Sequence, residues 1–500
     1  MAITLITTVP GLHLQSPSLS IITSPTTLLH SWKSPQSPAF PDLSPILPLP
    51  SPVSSTFQHR VSTKSTSRVT SSPRIPPELF LHIVSFLAVP DTPTITDIHD
   101  QSNLAEICNC SLVSKFWLYA ARDHLWRHVR LGGGRRGNTF IELLQHYTSG
   151  HESTLPSFVP HVKHLFIRES RGGLSWGPKW LNAVLPTLAG SLVNLHSLEA
   201  ERITWEYLSS KSRDAFIKGF KGVRKLSLHV CEFRTTLDMI RVIGEFEDVE
   251  ALALDRVHCE WDDIPVDSEV FVSRADDRTI PKPPRRLREL AMRGAHTRHV
   301  LKWMRVAMKH DGGRVTVEVL RLGALGAKSA PAVGKFLKTL GTSLKELHLG
   351  FDAAFIDNGD EVVSHIDLSH NNFLREMHVY GLIIPSLPPS DPSNFQPPTR
   401  LPPQLMPLTA LLDGVRAPLR ALSLALYPAD LHALSSMDFE GLAHVLDGRP
   451  WTTLEDVLVV VANEGDGRMG GIVNQRLDRL LERGVLRVDV GFDDREVLFI

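Results

Sequence analysis

The pattern G-x-S-x-G can hold a catalytic serine in a tight turn between a strand and a helix, and it occurs at residues 173–177 with Ser175 as the candidate nucleophile. Such a turn requires the strand to run directly into the serine. Here a polar segment, residues 168–172, separates the predicted strand from Ser175. We therefore interpret the segment as a glycine-rich loop. An α/β enzyme using Ser175 remains an alternative, because a motif match alone is weak support.

A second motif, Gly465–Gly470, matches the G-x-G-x-x-G fingerprint, in which glycine backbone approaches a pyrophosphate at a helix N-terminus. It follows the apolar run VLVVV and precedes the helical segment NQRLDRLLERG, with Asp489 on the next predicted strand. However, the carboxylates of Glu464 and Asp466 would face the pyrophosphate, and we expect no further strands to complete a nucleotide-binding domain. Residues 132–137 also match, but without the GK[ST] of a P-loop. We predict no cofactor, and the Gly465–Gly470 loop remains a second enzymatic alternative.

Metal-ligand spacing occurs at His124 and His128, four residues apart in a segment predicted to be helical. Leu125 stands where the H-E-x-x-H motif needs its glutamate, no third ligand is evident, and the chain has no C-x-x-C pair. Four cysteines in 500 residues are too few for a disulfide framework. We therefore predict no metal site and no catalytic residue. A reducing compartment follows from the cysteine content, which means the cytoplasm, the nucleus or both.

The charge balance argues against a nucleic-acid partner. Lys and Arg total 53 and Asp and Glu total 54, so the net charge is -1 and no long-range field attracts phosphate backbones. The basic run of Lys282, Arg285, Arg286 and Arg288 is interpreted as an exposed loop that enters a strand. No stretch approaches the roughly 18 consecutive apolar residues of a membrane span. We therefore expect neither nucleic acid nor membrane among the partners.

Composition divides the chain into segments. Residues 1–74 are rich in Ser, Pro and Thr and are predicted to form a disordered tail, because proline denies helices and sheets their donors. Residues 75–131 show helical periodicity, interrupted by a polar insert that contains two prolines. Residues 132–160 are expected to form a linker with a helix, and residues 161–500 to form a second domain.

The second domain repeats one hexad, in which an apolar residue, two variable residues, a second apolar residue, one variable residue and a third apolar residue follow one another. Intervals between first positions range from 26 residues (Val223 to Val249) to 45 residues (Leu374 to Leu419). The long intervals contain proline-rich stretches, which predict loop insertions near residues 264–286 and 383–407. The hexads are Val162/Leu165/Ile167, Leu195/Leu198/Ala200, Val223/Leu226/Leu228, Val249/Leu252/Leu254, Leu287/Leu290/Met292, Val317/Leu320/Leu322, Leu344/Leu347/Leu349, Leu374/Met377/Val379, Leu419/Leu422/Leu424, Leu454/Val457/Val459 and Val485/Val488/Val490.

Each hexad predicts a short strand, because its last two apolar positions point to one face. Segments such as KWLNAVLPTLAGSL and RHVLKWMRVAMKH, which lie between hexads, have helical periodicity. A strand-helix unit cannot bury its apolar side alone, so the units should stack into an α/β solenoid with a curved parallel sheet. The intervals lie at or above the roughly 20–29 residues of leucine-rich repeats, and the asparagine ladder of regular repeats is absent. The prediction is therefore an irregular leucine-rich-repeat-like solenoid, with a doubly wound α/β domain as the rival.

The helical segment before the repeats has a specific pattern of residues. IPPEL begins at Ile75, Ile83 and Phe86-Leu87 follow, and SLVSKxW runs from Ser111 to Trp117 before Ala120 and Leu125-Trp126. In order and spacing this segment resembles the F-box family, over about a tenth of the chain. The insert between Leu87 and Leu104 is longer than the turn typical of that family.

The resemblance implies a small helical domain that binds a Skp-type adaptor, which bridges to a cullin and its RING subunit in an SCF-type ubiquitin ligase. It implies that the chain is a non-catalytic subunit that presents an unknown protein substrate through its repeats, for ubiquitin-dependent degradation. A protein-interaction scaffold with a degenerate F-box that joins no ligase remains the alternative. The adaptor contact implied by the family comprises Pro76, Pro77, Leu79, Ile83, Phe86, Leu87, Val113, Lys115 and Trp117.

Overall fold

The structure of the protein is a computed structural model, which describes residues 77–87, 100–133, 135–149, 158–169, 179–261, 281–310, 316–352, 355–386, 406–462 and 468–491. The predicted tail, the motif around Ser175 and most of both predicted loop insertions lie outside the described residues.

The described helices are α1 (Pro77–Leu87), α2 (Asp100–Val113), α3 (Lys115–Arg127), α4 (Arg135–Ser149), α5 (Lys179–Ser191), α6 (Ser210–Gly219), α7 (Thr236–Gly244), α8 (Thr297–His310), α9 (Ala330–Leu340), α10 (Phe355–Ser364), α11 (Met406–Asp413), α12 (Leu431–Ser435), α13 (Phe439–Leu446), α14 (Arg468–Arg476) and α15 (Asp478–Glu482). The described strands are β1 (His128–Gly132), β2 (His164–Arg168), β3 (Ser197–Glu201), β4 (Lys225–His229), β5 (Glu232–Thr235), β6 (Ala251–Asp255), β7 (His258–Trp261), β8 (Glu289–Arg293), β9 (Val319–Leu325), β10 (Glu346–Phe351), β11 (Glu376–Ile384), β12 (Ala421–Pro428), β13 (Asp456–Val461) and β14 (Leu486–Val490).

The hexads form one long parallel sheet. Twelve of the described strands follow one another in chain order, and the other two, β5 and β7, form a small second sheet. The register aligns equivalent hexad positions, so that Leu320 pairs with Leu347, and Leu347 pairs with Met377. In a doubly wound α/β domain the strand order reverses at a switch point. The strands of this sheet follow the chain order without a reversal, which excludes that alternative. The predicted α/β solenoid with a parallel sheet is confirmed.

The apolar hexad positions form the core. In the central repeat, Leu344, Leu347 and Leu349 are all fully buried, and the same positions of the other repeats join one continuous cluster. Each such leucine contributes roughly 1.5–3 kcal/mol through burial. Between hexads, the helices predicted from KWLNAVLPTLAGSL and RHVLKWMRVAMKH are confirmed as α5 and α8. Helix α5 tolerates Pro186 while its apolar face, which includes Leu181 and Leu185, is buried.

A backbone ladder extends the sheet beyond the strands. The residue after the first apolar position donates its N–H to the carbonyl of its counterpart in the preceding repeat. His196 donates to Lys163 over 2.8 Å, Arg224 donates to His196 over 2.8 Å, and the pattern continues to Glu455. Since each of these residues pairs its backbone N–H with a carbonyl of the neighbouring repeat, the repeats stabilise one another.

Two ends of the repeat array differ from the prediction. Helix α3 ends at Arg127, and residues 128–132 form strand β1, although helical periodicity predicted a helix through Leu131. Trp126, Val129 and Leu131 therefore make an additional hexad before the first predicted one. In the last repeat, Val457 pairs with Leu486 rather than with Val488, so the predicted hexad Val485/Val488/Val490 was wrong by two residues.

The edges of one predicted insertion are also regular structure. Strand β11 continues to Ile384 and α11 begins at Met406, so these two elements flank the predicted insertion near 383–407. The basic residues Lys282, Arg285, Arg286 and Arg288 are exposed ahead of β8, as expected of a solvated loop. Among the described residues, no helix has the length and apolar character needed to cross a membrane.

Candidate functional site

Helices α1, α2 and α3 pack into a unit that we call the helical knob. Its core consists of Val84, Ile107, Ala120 and Ala121, with Phe80, Trp117 and Leu125 partly buried against it. Helix α3 begins with a cap, since the Ser114 hydroxyl accepts a hydrogen bond from the backbone N–H of Trp117 at 3.4 Å. The sequence therefore folds this segment around a small core that leaves other apolar positions uncovered.

Among the side chains of the knob that the structure describes, eight large apolar ones are exposed, with exposed fractions between 38% and 84%. They are Leu79, Leu81 and Ile83 on α1, Leu112 and Val113 on α2, and Phe116, Leu118 and Tyr119 on α3. Leu79 and Ile83 are four residues apart and share one face of α1, while Phe80 and Val84 point into the core. Grouped exposed apolar residues mark surfaces that bind other proteins.

The structure separates the nine predicted adaptor contacts. Leu79, Ile83, Val113 and Lys115 are exposed. Trp117 is half-buried, because its ring packs edge-on against Phe80 at 4.8 Å and so helps to build the knob. Pro77, Phe86 and Leu87 lie in α1, but their side chains are outside the described residues, as is Pro76 altogether.

The knob is attached to the first repeats through aromatic and polar contacts. Trp126 at the end of α3 stacks on Phe158 at 4.4 Å. Asp123 lies 3.2 Å from the His161 ring, and both residues line a cleft with Leu81, Tyr119 and other side chains of α1 and α3. The backbone N–H of Lys163 donates a hydrogen bond to the carbonyl oxygen of Arg127, so the knob continues directly into the sheet.

The sheet has one face covered by helices and another that we call the open face, which carries the side chains between the apolar hexad positions. On it, Ser227 Oγ lies 2.9 Å from His229 Nε2, and Asp255 Oδ2 lies 3.7 Å from His229 Nδ1. Burial alone would raise the pKa of Asp255, but His229 and Arg256 outweigh it and hold the pKa below its usual value. The three residues are arranged in the order of a Ser-His-Asp triad.

This arrangement lacks the rest of an acyl-transfer site. Such chemistry needs backbone N–H groups aimed at the developing oxyanion. Ser227 sits in the middle of β4 and pairs with Glu199 on one side and Ala253 on the other, so the backbone there is committed to the sheet. His229 also lies 3.6 Å from the Glu199 carboxylate. We interpret these residues as a charge-compensated polar cluster.

A second polar cluster occupies the open face at β10 and β11. The ring of His348 lies 2.5 Å from Glu346 through Nε2 and 2.6 Å from the Tyr380 hydroxyl through Nδ1. It stacks on the His378 ring at 4.2 Å. The hydrogen bond with His348 lowers the pKa of Glu346 to about 2, and burial lowers the pKa of His348. At neutral pH the cluster therefore pairs a carboxylate with a neutral imidazole.

The structure describes only some of the motifs that the sequence offered for catalysis or metal binding. Ser175 and residues 465–467 lie outside the described residues. Gly470 is in α14, where a Cβ atom would lie 2.9 Å from Val490 Cγ2, so this glycine allows the helix to approach β14 closely. The predicted helical pair His124 and His128 was wrong, because His128 begins strand β1.

Comparison with known families concerns the knob. Residues 73–132 match the family model described as F-box-like. This segment is an F-box-like domain. It is followed by a leucine-rich-repeat-like sheet, and the two together are the architecture of a protein-interaction adaptor.

Among solved structures, the chain is similar to the leucine-rich repeat-containing protein LegL7 from Legionella pneumophila. The similarity has a TM-score of 0.38 at 14% identity, and it covers 70% of this chain and 98% of that chain. No curated protein matches the chain.

Sequence reasoning missed the cluster around His348, although a signal was present. Glu346-Leu347-His348 and Glu376-Met377-His378 place the same E-x-H tripeptide at the same hexad positions of consecutive repeats. Because equivalent hexad positions pair in a parallel sheet, this repetition predicts that the two histidines become neighbours.

Proposed function

We propose that this protein is the substrate-recognition subunit of an SCF-type ubiquitin ligase. In this proposal the F-box-like domain binds a Skp-type adaptor, the adaptor bridges to a cullin-RING ligase, and the repeats bind a protein substrate. The observation that carries the proposal is the exposure of Leu79 and Ile83, 48% and 42%, on a segment that matches the F-box-like family. Apolar side chains left uncovered on a folded knob support a protein partner that covers them.

The proposed role of the chain is positional and non-catalytic. Holding the substrate near a ubiquitin-charged enzyme raises the effective concentration of the two without chemistry by this chain. On the described open face, the backbone around Ser227 is hydrogen-bonded within the sheet, which supports a non-catalytic role. The proposed setting is the cytoplasm, the nucleus or both, and imaging of a tagged chain tests it.

Charged substitutions on α1 test the adaptor contact. Leu79→Asp/Ile83→Asp should weaken adaptor binding at least about 100-fold, because an interface cannot bury unpaired carboxylates without a cost of several kcal/mol. Co-purification of the adaptor and cullin with the full chain, followed by a binding titration with purified adaptor, measures the loss. The proposal fails if the double variant binds the adaptor as tightly as the parent.

A matched control places the same two charges elsewhere. Val193 and Leu481 are exposed apolar residues of the repeats, with exposed fractions of 64% and 47%. Val193→Asp/Leu481→Asp should retain the adaptor, and both double variants should keep the thermal transition of the parent. Adaptor binding without the cullin would instead support a scaffold outside the ligase. Mass spectrometry of proteins retained by the parent chain then identifies the substrate.

A further inference from the structure

Three potential metal ligands meet on the open face where β10 and β11 lie side by side. His348 and His378 occupy the same register on adjacent strands, and Glu346 is two residues before His348 on the same face. One ligand atom from each of the three side chains lies within 4.8 Å of the others. The parallel register creates this proximity, since the two strands come from repeats 30 residues apart in the chain, as the numbers of His348 and His378 show.

The chemistry of this set fits a borderline transition metal. Imidazole nitrogen and carboxylate oxygen bind Zn²⁺ at about 2.0–2.2 Å, and three protein ligands leave a fourth position for water. We propose that Glu346, His348 and His378 bind a divalent transition-metal ion, with Zn²⁺ as the representative, on the open face of the sheet. Tetrahedral geometry requires ligand atoms about 3.4 Å apart. Metal binding would therefore have to open the 2.5 Å contact between His348 Nε2 and Glu346, while all three ligand atoms already lie within 4.8 Å of one another.

Tyr380 orients the central ligand. Its hydroxyl lies 2.6 Å from His348 Nδ1, which leaves Nε2 directed at Glu346, 2.5 Å away. Without metal, the Nε2–H of the neutral ring donates to the Glu346 carboxylate. When the metal binds Nε2, the ring proton resides on Nδ1 and is donated to the Tyr380 oxygen, so the ring keeps a partner on both sides. A hydrogen bond that fixes the tautomer of a ligating histidine is the usual arrangement at metal sites.

The surrounding charges favour a cation. Arg321 lies 3.1 Å from Oε1 of Glu346, the oxygen that also faces His348, and it pairs with Glu289 as well. Glu376 lies 3.9 Å from the His378 ring. The three carboxylates of Glu289, Glu346 and Glu376 exceed the single guanidinium of Arg321 by two negative charges, which a divalent ion neutralises.

A second histidine pair on the same face provides a matched control. His128 and His164 stack at 4.3 Å on β1 and β2, much as His348 and His378 do on β10 and β11. In the described part of the chain, no group of three ligand-type side chains includes this pair. Removal of His164 should therefore leave the proposed metal site intact.

A calorimetric titration of the full chain with Zn²⁺ tests the proposal, and Co²⁺ serves as a spectroscopic probe of the same site. We expect the parent and His164→Gln to bind Zn²⁺ with the same affinity and to give the visible absorption of four-coordinate Co²⁺. His348→Gln, His378→Gln and Glu346→Gln should each abolish that absorption. Tyr380→Phe should weaken Zn²⁺ binding about 10–100-fold, the effect of losing an outer hydrogen-bond partner.

Two results would overturn the proposal. One is that the parent chain binds no Zn²⁺, or that Glu346→Gln and His378→Gln bind Zn²⁺ as tightly as the parent does. The other is an unchanged Co²⁺ spectrum in His348→Gln. Thermal unfolding of each metal-free variant separates a lost ligand from a lost fold, and the more accessible His378→Gln provides the reading if His348→Gln does not fold. Adaptor binding is measured on the same proteins and should be unchanged, because the knob lies outside the proposed site.

Discussion

Carboxylates on and near the sheet titrate according to their neighbours. Glu346 has a pKa of about 2, since the hydrogen bond with His348 stabilises its charged form. Burial raises the pKa of Glu169 to about 7, and a hydrogen bond to the backbone of Leu181 only partly offsets that burial. The same side-chain chemistry therefore gives an ion at one position and a carboxyl that is only about half ionised near pH 7 at the other.

Glu169 gives the protein a pH-dependent stability that we can predict. The pKa of Glu169 in the folded protein lies above the value of 4.5 expected in the unfolded chain, so its protonated form stabilises the fold. This stabilisation is fully present below pH 4.5 and is lost as the pH rises through 7. Glu169→Gln should therefore raise the melting temperature at pH 8 relative to the parent, with a smaller gain at pH 5. Thermal unfolding at both pH values measures this. The exposed Glu142→Gln on α4 is the control, and an equal effect of Glu169→Gln at both pH values would contradict the prediction.

At the scale of elements, a left-handed residue recurs where strands end or bulge. Arg202, Val230 and Arg256 have φ near +50 to +59° directly after β3, β4 and β6. Their N–H groups donate to the next strand, as from Val230 to the Asp255 carbonyl at 2.9 Å. In β9 the equivalent residue is Ala324, with φ of 53°, where the register with β10 shifts and the strand continues. The repeats thus share a backbone turn that their side chains do not reveal.

Glycine should stabilise the protein at this turn. Ala324 is exposed, and a left-handed conformation costs a residue with a Cβ atom about 1–2 kcal/mol, which exceeds the entropy that glycine adds to the unfolded chain. Ala324→Gly should raise the free energy of unfolding by about 0.5–1 kcal/mol. Ala410→Gly, at an exposed position inside α11, should lower it by about 1 kcal/mol. Denaturant unfolding measures both, and the same sign for the two variants would refute the explanation.

At the scale of the whole molecule, the described repeats share one sheet and one core. Strand β1 joins the sheet directly after α3, and the core cluster extends from Val129 to Leu486. Each repeat nevertheless contacts mainly its neighbours, as in other solenoids, so stability is a sum of repeat and interface contributions. The middle of the sheet is therefore the place where a local defect can uncouple the two halves.

Leu347→Ala should produce that uncoupling. Leu347 is fully buried near the start of β10, and its truncation should cost about 2–5 kcal/mol. We expect thermal unfolding to separate into two transitions, because the weakened repeat no longer couples its neighbours. Calorimetry measures the transitions. Val193→Ala, at a 64% exposed position, should change stability by less than about 0.5 kcal/mol and keep a single profile. A uniform shift of one transition in Leu347→Ala would show that cooperativity extends across the whole sheet.

The sequence alone determined the repeats, the helices between them and the helical knob, because each depends on apolar periodicity over a few neighbouring residues. Even so, local patterns misassigned both ends of the array. Trp126, Val129 and Leu131 also fit a helical pattern, and the valines around Val485 allow more than one strand register. In both cases pairing with a distant strand decided the outcome.

Only the tertiary structure decided which side chains of the knob fill its core and which remain exposed. Leu79 and Trp117 look equally apolar in the sequence, yet the packing of α1 on α3 leaves Leu79 exposed and half-buries Trp117. The meeting of His348 with His378 likewise required the register of two strands that are 30 positions apart. Side-chain burial and cross-strand contacts depend on residues far away in the chain, and a local pattern does not contain that information.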